Sequence, residues 1–263
     1  MNTSEQTIFL KWETAGLMDF LRGYITAELR LGSLGRIVPC FHPDNLFSKV
    51  FSWACTENFE RHTDFCLDTW SKNESENIWK QVERSLFDSG SVTIRTNLCP
   101  PHTADLSRFK RLFSLNVTIQ RQILERIRKT VQGDYSVIHT RLIFRDVNNQ
   151  MFFNSNSRIQ SSILERALSA LRSIPNEGRI VLLSDSQEFL DAAGDGYIRS
   201  GSRASHSFRK DLTMDDVLDI LTDLWFIIGA KDVKNINVFT WGTSGFSKIP
   251  CQVFGIPYQA IKI

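Results

Sequence analysis

Apolar residues in this chain recur at two spacings, and the spacings alternate along its length. Residues 8–12 (Ile-Phe-Leu-Lys-Trp) read as a short strand, and residues 13–16 as a turn ending in Gly16. From residue 17 to 31, Leu17, Phe20, Leu21, Tyr24, Ile25 and Leu31 fall on one helical face, with Gly32 as the stop. Residues 36–39 predict a second strand, so the opening has the order of a βαβ unit. Residues 40–90 give no clean period. Phe41, Phe47, Phe51, Trp53, Phe59, Phe65, Trp70 and Trp79 alternate with polar residues, and 68–77, the most polar part, reads as a loop. Residues 91–95 form a strand pattern. Pro100 and Pro101 then impose an extended connection. Ile119, Ile123, Leu124, Ile127 and Val131 mark an amphipathic helix stopped by Gly133, and the boundary between two α/β halves is placed in or just after it.

The second half is plainer. Residues 136–139 predict a strand leading into a loop around Arg141 that runs on through 148–156. A helix follows from about residue 157, with Ile159, Ile163, Leu164, Ala167, Leu168 and Leu171 inward. Residues 179–184 are continuously apolar up to Ser184, as a buried parallel strand should be. Residues 194–210 read as a Gly/Ser-rich loop. Thr213 and Asp216 match a capping box in front of a helix lined by Val217, Leu218, Leu221, Leu224, Trp225 and Ile228. Residues 237–241 predict a strand, 242–247 a turn, 250–254 a short helix, and 258–263 a last strand.

Composition narrows the class. At 263 residues and 42% hydrophobic, the chain can bury one large core or two smaller ones. Lys+Arg 31 against Asp+Glu 29 argues against a nucleic-acid partner or a basic membrane face. The five cysteines are dispersed without a C-x-x-C pair and read as buried free thiols in a reducing, cytoplasmic setting. The five histidines show no metal-ligand spacing. The start of the chain has no signal-peptide pattern, and the apolar run 218–230 carries Asp219 and Asp223, so no transmembrane segment is expected. A soluble domain of a membrane-anchored enzyme fits the same pattern. Sequons at Asn2, Asn73 and Asn116 are then chance matches.

Candidate chemistry gathers at the ends of strands. If the strands of the second half are parallel, the turns 139–146, 185–186 and 242–247 share one sheet edge, where ligands of open α/β sheets bind. Arg141 can hold a phosphate with its planar fork, or it belongs to a solvated loop. Asp185 can accept hydrogen bonds from a base or ribose. Thr243, Ser244 and Ser247 precede a helix and suit a phosphate. Asp185, Ser186, Thr243, Ser244 and Ser247 serve equally as helix caps. Together the three turns favour a nucleotide or sugar-nucleotide pocket.

These motifs, in this order, resemble those of the fucosyltransferase-like glycosyltransferases: the nodulation, α1,2-, α1,6- and protein O-fucosyltransferases. Ala15-Gly-Leu-Met-Asp-Phe-Leu-Arg-Gly23 is similar to their N-terminal glycine motif, and His139-Thr-Arg141 with Asp146 to their His-x-Arg-x-Gly-Asp. Ser184-Asp185 is similar to their aspartate after a buried strand, and Thr243-Ser-Gly-Phe-Ser247 to their terminal motif. The resemblance implies a GT-B-like α/β fold of two Rossmann-like halves facing a cleft, with mostly parallel sheets. Residues 1–125 would form the acceptor side and 126–263 the nucleotide-sugar side. It implies inverting, metal-independent transfer of a sugar, fucose from GDP-fucose above all, to a glycan or protein hydroxyl, with no cofactor. Arg141 would stabilise the leaving diphosphate. His139 would support Arg141 or touch the nucleotide, Asp185 and Ser186 would meet the nucleotide, and Thr243, Ser244, Phe246 and Ser247 would line the phosphate and base sites. Gly16 would face the cleft. Glu13 and Asp19 are the carboxylates to test as general base. Residues Leu142-Ile-Phe-Arg145 replace the compact glycine of the family motif, which keeps open a catalytically inactive nucleotide- or glycan-binding protein of the same fold.

Overall fold

A computed structural model describes residues 6–12, 16–54, 56, 61–67, 72–101, 104–142, 144–145, 151–152, 158–176, 178–202, 212–238 and 244–263. The chain divides into two compact units, Met1–Asn116 and Val117–Ile263.

The first unit contains β1 (Thr7–Trp12), α1 (Leu17–Leu31), β2 (Arg36–Phe41), β3 (Phe65–Leu67), α2 (Lys72–Ser89) and β4 (Ser91–Thr96). Its four strands run parallel in the order β2-β1-β4-β3. Pro39 sits in β2 without breaking the sheet because β2 is an edge strand. Four of the aromatic residues that gave no period, Phe41, Phe47, Phe51 and Trp53, converge in one cluster, while Phe59 and Trp70 lie outside the described residues. Trp12 stacks on Phe20 at 4.9 Å and meets Phe41 at 5.2 Å, and Trp53 packs on Phe51 at 5.0 Å. Each such pair adds roughly 0.5–1.5 kcal/mol beyond its burial.

Helix α1 packs tightly on β4 at Gly23, where a Cβ would stand 1.9 Å from the Thr96 carbonyl oxygen. Because that oxygen belongs to the backbone, Gly23→Ala must push α1 off the sheet. The variant is expected to lose roughly 2 kcal/mol, read as a lowered urea midpoint, despite alanine's better helix propensity. An unchanged midpoint would contradict this packing.

The second unit contains α3 (Val117–Thr130), β5 (Ser136–Thr140), β6 (Phe144–Arg145), β7 (Met151–Phe152), α4 (Arg158–Ser173), β8 (Ile180–Ser184) and α5 (Gln187–Ala192). It continues with β9 (Ile198–Arg199), α6 (Met214–Ile228), β10 (Asp232–Asn237), α7 (Gly245–Phe254) and β11 (Tyr258–Lys262). Five strands pair in parallel in the order β11-β10-β5-β8-β9, while β6 and β7 form a separate antiparallel hairpin. Alternate residues serve opposite faces. Val137, Val181, Leu183 and Val233 pack with Phe226 and Ile227 of α6 and Cys251 of α7. Ile138, Ile180, Leu182 and Ile236 pack with α4 and α5 through Ala167, Leu171 and Phe189. This doubly covered parallel sheet is the α/β architecture expected from the alternating periods.

Several local expectations are corrected. Residues 72–77 are the start of α2, not loop; its first turns are polar in sequence, and among its described side chains Trp79, Val82 and Leu86 reach the core. A strand, β10, occupies 232–237, ahead of the one expected at 237–241, of which residues 239–241 lie outside the described residues. Its buried Asn235 and Asn237 hid it from a hydrophobic pattern. Residues 198–199, placed in a loop, add β9 to the sheet edge. Helix α7 begins at Gly245 and carries Pro250 inside it, rather than starting there. The two units divide before α3, which joins the second unit through a 2.7 Å Arg126–Asp219 ion pair to α6. Cys40 and Cys251 are buried free thiols, but Cys66 and Cys99 are exposed, and Cys55 lies outside the described residues. Among the described residues, no helix is long and apolar enough to cross a membrane.

Candidate functional site

The carboxyl ends of β5, β8 and β10 lie side by side on one edge of the second sheet. Thr140 of β5 is the register partner of Ser184 of β8, so the next residues, Arg141 and Asp185, leave the sheet as neighbours. Arg141 Nε stands 3.9 Å from Asp185 Oδ2, and its side chain is 41% exposed against 10% for Asp185. Asp185 Oδ1 accepts a 2.7 Å hydrogen bond from the Leu142 backbone N–H. The carboxylate thus clamps the turn after β5 and holds the guanidinium at the sheet edge. Asp185 is committed to the chain's own groups, a different arrangement from an aspartate that reads a base directly.

Two residues before Arg141, His139 is buried in the sheet. Burial first, and the Arg141 charge second, push its pKa down to about 3, so the ring is neutral. Its Nδ1 lies 3.1 Å from Ser247 Oγ and 3.0 Å from Asn235 Nδ2. The Phe246 ring stands 5.6 Å from the imidazole. Helix α7 supplies both Phe246 and Ser247. Ser244 is its N-cap and accepts from the Phe246 N–H at 3.3 Å. Ser247 has no exposed surface, so it supports His139 from within the fold rather than lining an open site.

Ser186 takes the alternative role that its sequence allowed. Its hydroxyl accepts from the Phe189 N–H and caps α5. The Thr213–Asp216 capping box is formed, with Asp216 Oδ2 accepting from Thr213 N–H at 2.8 Å and Thr213 Oγ1 accepting from Asp216 N–H at 3.2 Å. Gly16 is the N-cap of α1, and Asp19 in the first turn pairs with Arg22 at 3.0 Å; both belong to the first unit. Glu13, Asp146 and Thr243 lie outside the described residues.

One further residue was not singled out from the sequence. Asp223 sits in α6 with its Oδ1 buried and, among the described residues, without a hydrogen-bond partner. Its pKa is raised to about 7, chiefly by burial. Hydrogen bonds from Ser200 and Ser202, which follow β9, oppose the shift, and Asp219 adds to it. A buried carboxylate with a vacant acceptor is unusual and marks a candidate ligand contact. The signal was available: Asp223 interrupts the most apolar helix of the chain. Among the described residues, no group of three His, Cys, Asp or Glu side chains could hold a metal ion.

No protein-family model matches the sequence, and no curated protein matches it. Solved structures do. The chain is similar to NodZ α-1,6-fucosyltransferase soaked with GDP-fucose, at 15% identity over 95% of this chain and 93% of that one, with a TM-score of 0.56. It is similar to the fucosyltransferase NodZ from Bradyrhizobium, at 14% identity, 99% and 96% coverage and a TM-score of 0.58. POFUT1 in complex with GDP matches at 12% identity, 100% and 99% coverage and a TM-score of 0.54.

The chain has the fucosyltransferase-like fold. The GT-B-type resemblance first drawn from four short motifs therefore extends to the architecture. Within this fucosyltransferase-like fold, the departure after Arg141 is structural too: Phe144 and Arg145 enter a hairpin where the family motif has a compact Gly-Asp.

Proposed function

We propose that this chain is a glycosyltransferase that moves a sugar, fucose in our reading, from a GDP-linked donor to a hydroxyl of a glycan or protein. Transfer inverts the anomeric centre and needs no metal or cofactor. The observation that carries the proposal is the convergence of Arg141, Asp185 and the His139 cluster at one sheet edge of a fold whose solved representatives hold GDP or GDP-fucose.

Arg141 neutralises the diphosphate as it departs, and Asp185 holds the guanidinium in place. The amino end of α7, capped by Ser244, adds backbone N–H groups for a phosphate oxygen. Asp223 accepts from the nucleobase. Guanine offers two adjacent N–H donors on its Watson–Crick edge, which suits a carboxylate with a vacant oxygen. Phe246 borders the base, while Ser247 supports His139 and Ser186 caps α5. Glu13 and Asp19 are the carboxylates to test as general base; Asp19 is ion-paired with Arg22, and Glu13 lies outside the described residues.

A panel of GDP, UDP, ADP, CMP and their sugar conjugates, read by thermal shift and calorimetry, tests this. A ligand at 100 times its Kd stabilises the folded state by about 2.7 kcal/mol. GDP and GDP-fucose should raise the Tm selectively. Preference for UDP would discard the guanine and fucose assignments. Absence of any shift at millimolar nucleotide would refute the site. The hairpin that replaces the Gly-Asp segment supports a second reading, a binding protein without turnover, which predicts GDP binding with neither transfer nor donor hydrolysis.

A further inference from the structure

His139 and Asn235 are register partners on adjacent strands β5 and β10. The Asn235 Nδ2 lies 3.0 Å from His139 Nδ1 and 3.1 Å from the carbonyl oxygen of His139 itself. That carbonyl can only accept, so the amide group facing it is the NH2 and not the oxygen. The second hydrogen of the same NH2 then points at Nδ1, which has to accept. A ring nitrogen that accepts carries no proton, and a neutral imidazole must keep its single proton on Nε2. The opposite tautomer would set donor against donor at 3.0 Å. Turning the amide over would set Oδ1 against the carbonyl oxygen at 3.1 Å. Ser247 Oγ, 3.1 Å from Nδ1, can donate to the same nitrogen from α7.

Asn235 also carries a cost that packing does not explain. Among the described residues its Oδ1 is buried without a hydrogen-bond partner, in an interior strand where an apolar β-branched residue would fill the space. The amide is therefore retained for what its NH2 does to His139.

We propose that Asn235, assisted by Ser247, locks His139 in the Nε2–H tautomer, making it a neutral hydrogen-bond donor to an oxygen of the bound nucleotide and excluding it as general base. The nucleotide part of this statement rests on the function proposed above; the lock does not. Asn235 and Ser247 are positioning residues that act through the imidazole. The charged groups beside the ring fit the same role. Arg141 disfavours a second positive charge, and Asp185 is turned to Arg141 and the Leu142 N–H. Proton removal from the acceptor hydroxyl then falls to another residue.

Long-range proton–nitrogen NMR of the ligand-free, nitrogen-15-labelled chain reads the tautomer directly, with the His139 signals assigned by their loss in His139→Gln. The expected spectrum is that of the Nε2–H form, unchanged between pH 5 and 8. A wild-type spectrum of the Nδ1–H form, or of a charged ring, overturns the lock. Asn235→Asp replaces the donor by an acceptor and should move the proton to Nδ1. Ser247→Ala leaves the Asn235 donor in place and should keep the wild-type pattern. By calorimetry, Asn235→Asp should weaken GDP binding about tenfold, the worth of one lost hydrogen bond. An unchanged GDP affinity with a moved proton overturns the donor role. No GDP binding by the wild type, beside the expected spectrum, removes the nucleotide reading and leaves the lock standing. If Asn235→Asp does not fold, the wild-type spectrum alone decides the tautomer.

Discussion

Arg141→Ala is expected to lower kcat for transfer from GDP-fucose by 100- to 1000-fold, roughly the loss seen when one preorganised donor to developing charge is removed. The side chain stands 41% exposed at the end of β5, so its removal leaves the core of the sheet intact. Its partner Asp185 would keep the 2.7 Å contact to the Leu142 N–H and hold the turn closed. Charge at the departing diphosphate grows during the reaction, so the loss should fall mainly on kcat rather than on KM. Arg141→Lys keeps the charge without the planar fork and should fall between the two. Steady-state kinetics, with circular dichroism to confirm the fold, make the comparison. Wild-type kcat in Arg141→Ala would remove Arg141 from the chemistry.

The second large effect concerns Asp223 and has a defined sign. Its folded pKa of about 7 lies above the unfolded value of 3.8. The folded chain therefore holds a proton that the unfolded chain has released between those values. The stabilisation is complete below pH 3.8 and is lost as pH rises through 7. Between pH 5 and 8 this amounts to roughly 2–3 kcal/mol, which Asp223→Asn should not lose. His139 works the other way. With a folded pKa of about 3 against 6.5, the neutral ring contributes fully above pH 6.5, and the contribution is lost as pH falls toward 3.

In the wild type the two slopes oppose each other from about pH 4 to 6.5. In Asp223→Asn only the His139 slope remains, so stability should climb to pH 6.5 and then level off. Urea unfolding at pH 5, 6.5 and 8 separates the profiles. Parallel curves for the two proteins would mean that Asp223 does not titrate near neutrality. The same substitution exchanges an acceptor for an amide at the proposed base site. GDP affinity should fall at least tenfold while the protein stays folded.

Much of the fold was legible because its signals are local. The period of α1, the capping box at Thr213 and the continuous apolar run of β8 each depend on residues a few positions apart. What escaped was also local in cause. The head of α2 is polar on every face, and β10 carries two buried asparagines, so neither shows the pattern its class predicts. Ser186 and Ser247 were legible as hydroxyls near strand ends. Whether each hydroxyl turns outward to a ligand or inward to a cap or a histidine is decided by packing.

By itself, then, the sequence determined the alternation of helix and strand and the placing of Arg141 and Asp185 just past strand ends. Backbone propensity, side-chain period and turn chemistry act over one or two turns of chain and need no partner. Tertiary structure alone decided the rest. Parallel register across 44 residues of sequence set Arg141 against Asp185, and across 96 it set Asn235 against His139. Burial raised the pKa of Asp223 and lowered that of His139. Desolvation is a property of everything packed around a group, and no stretch of sequence around either residue carries it.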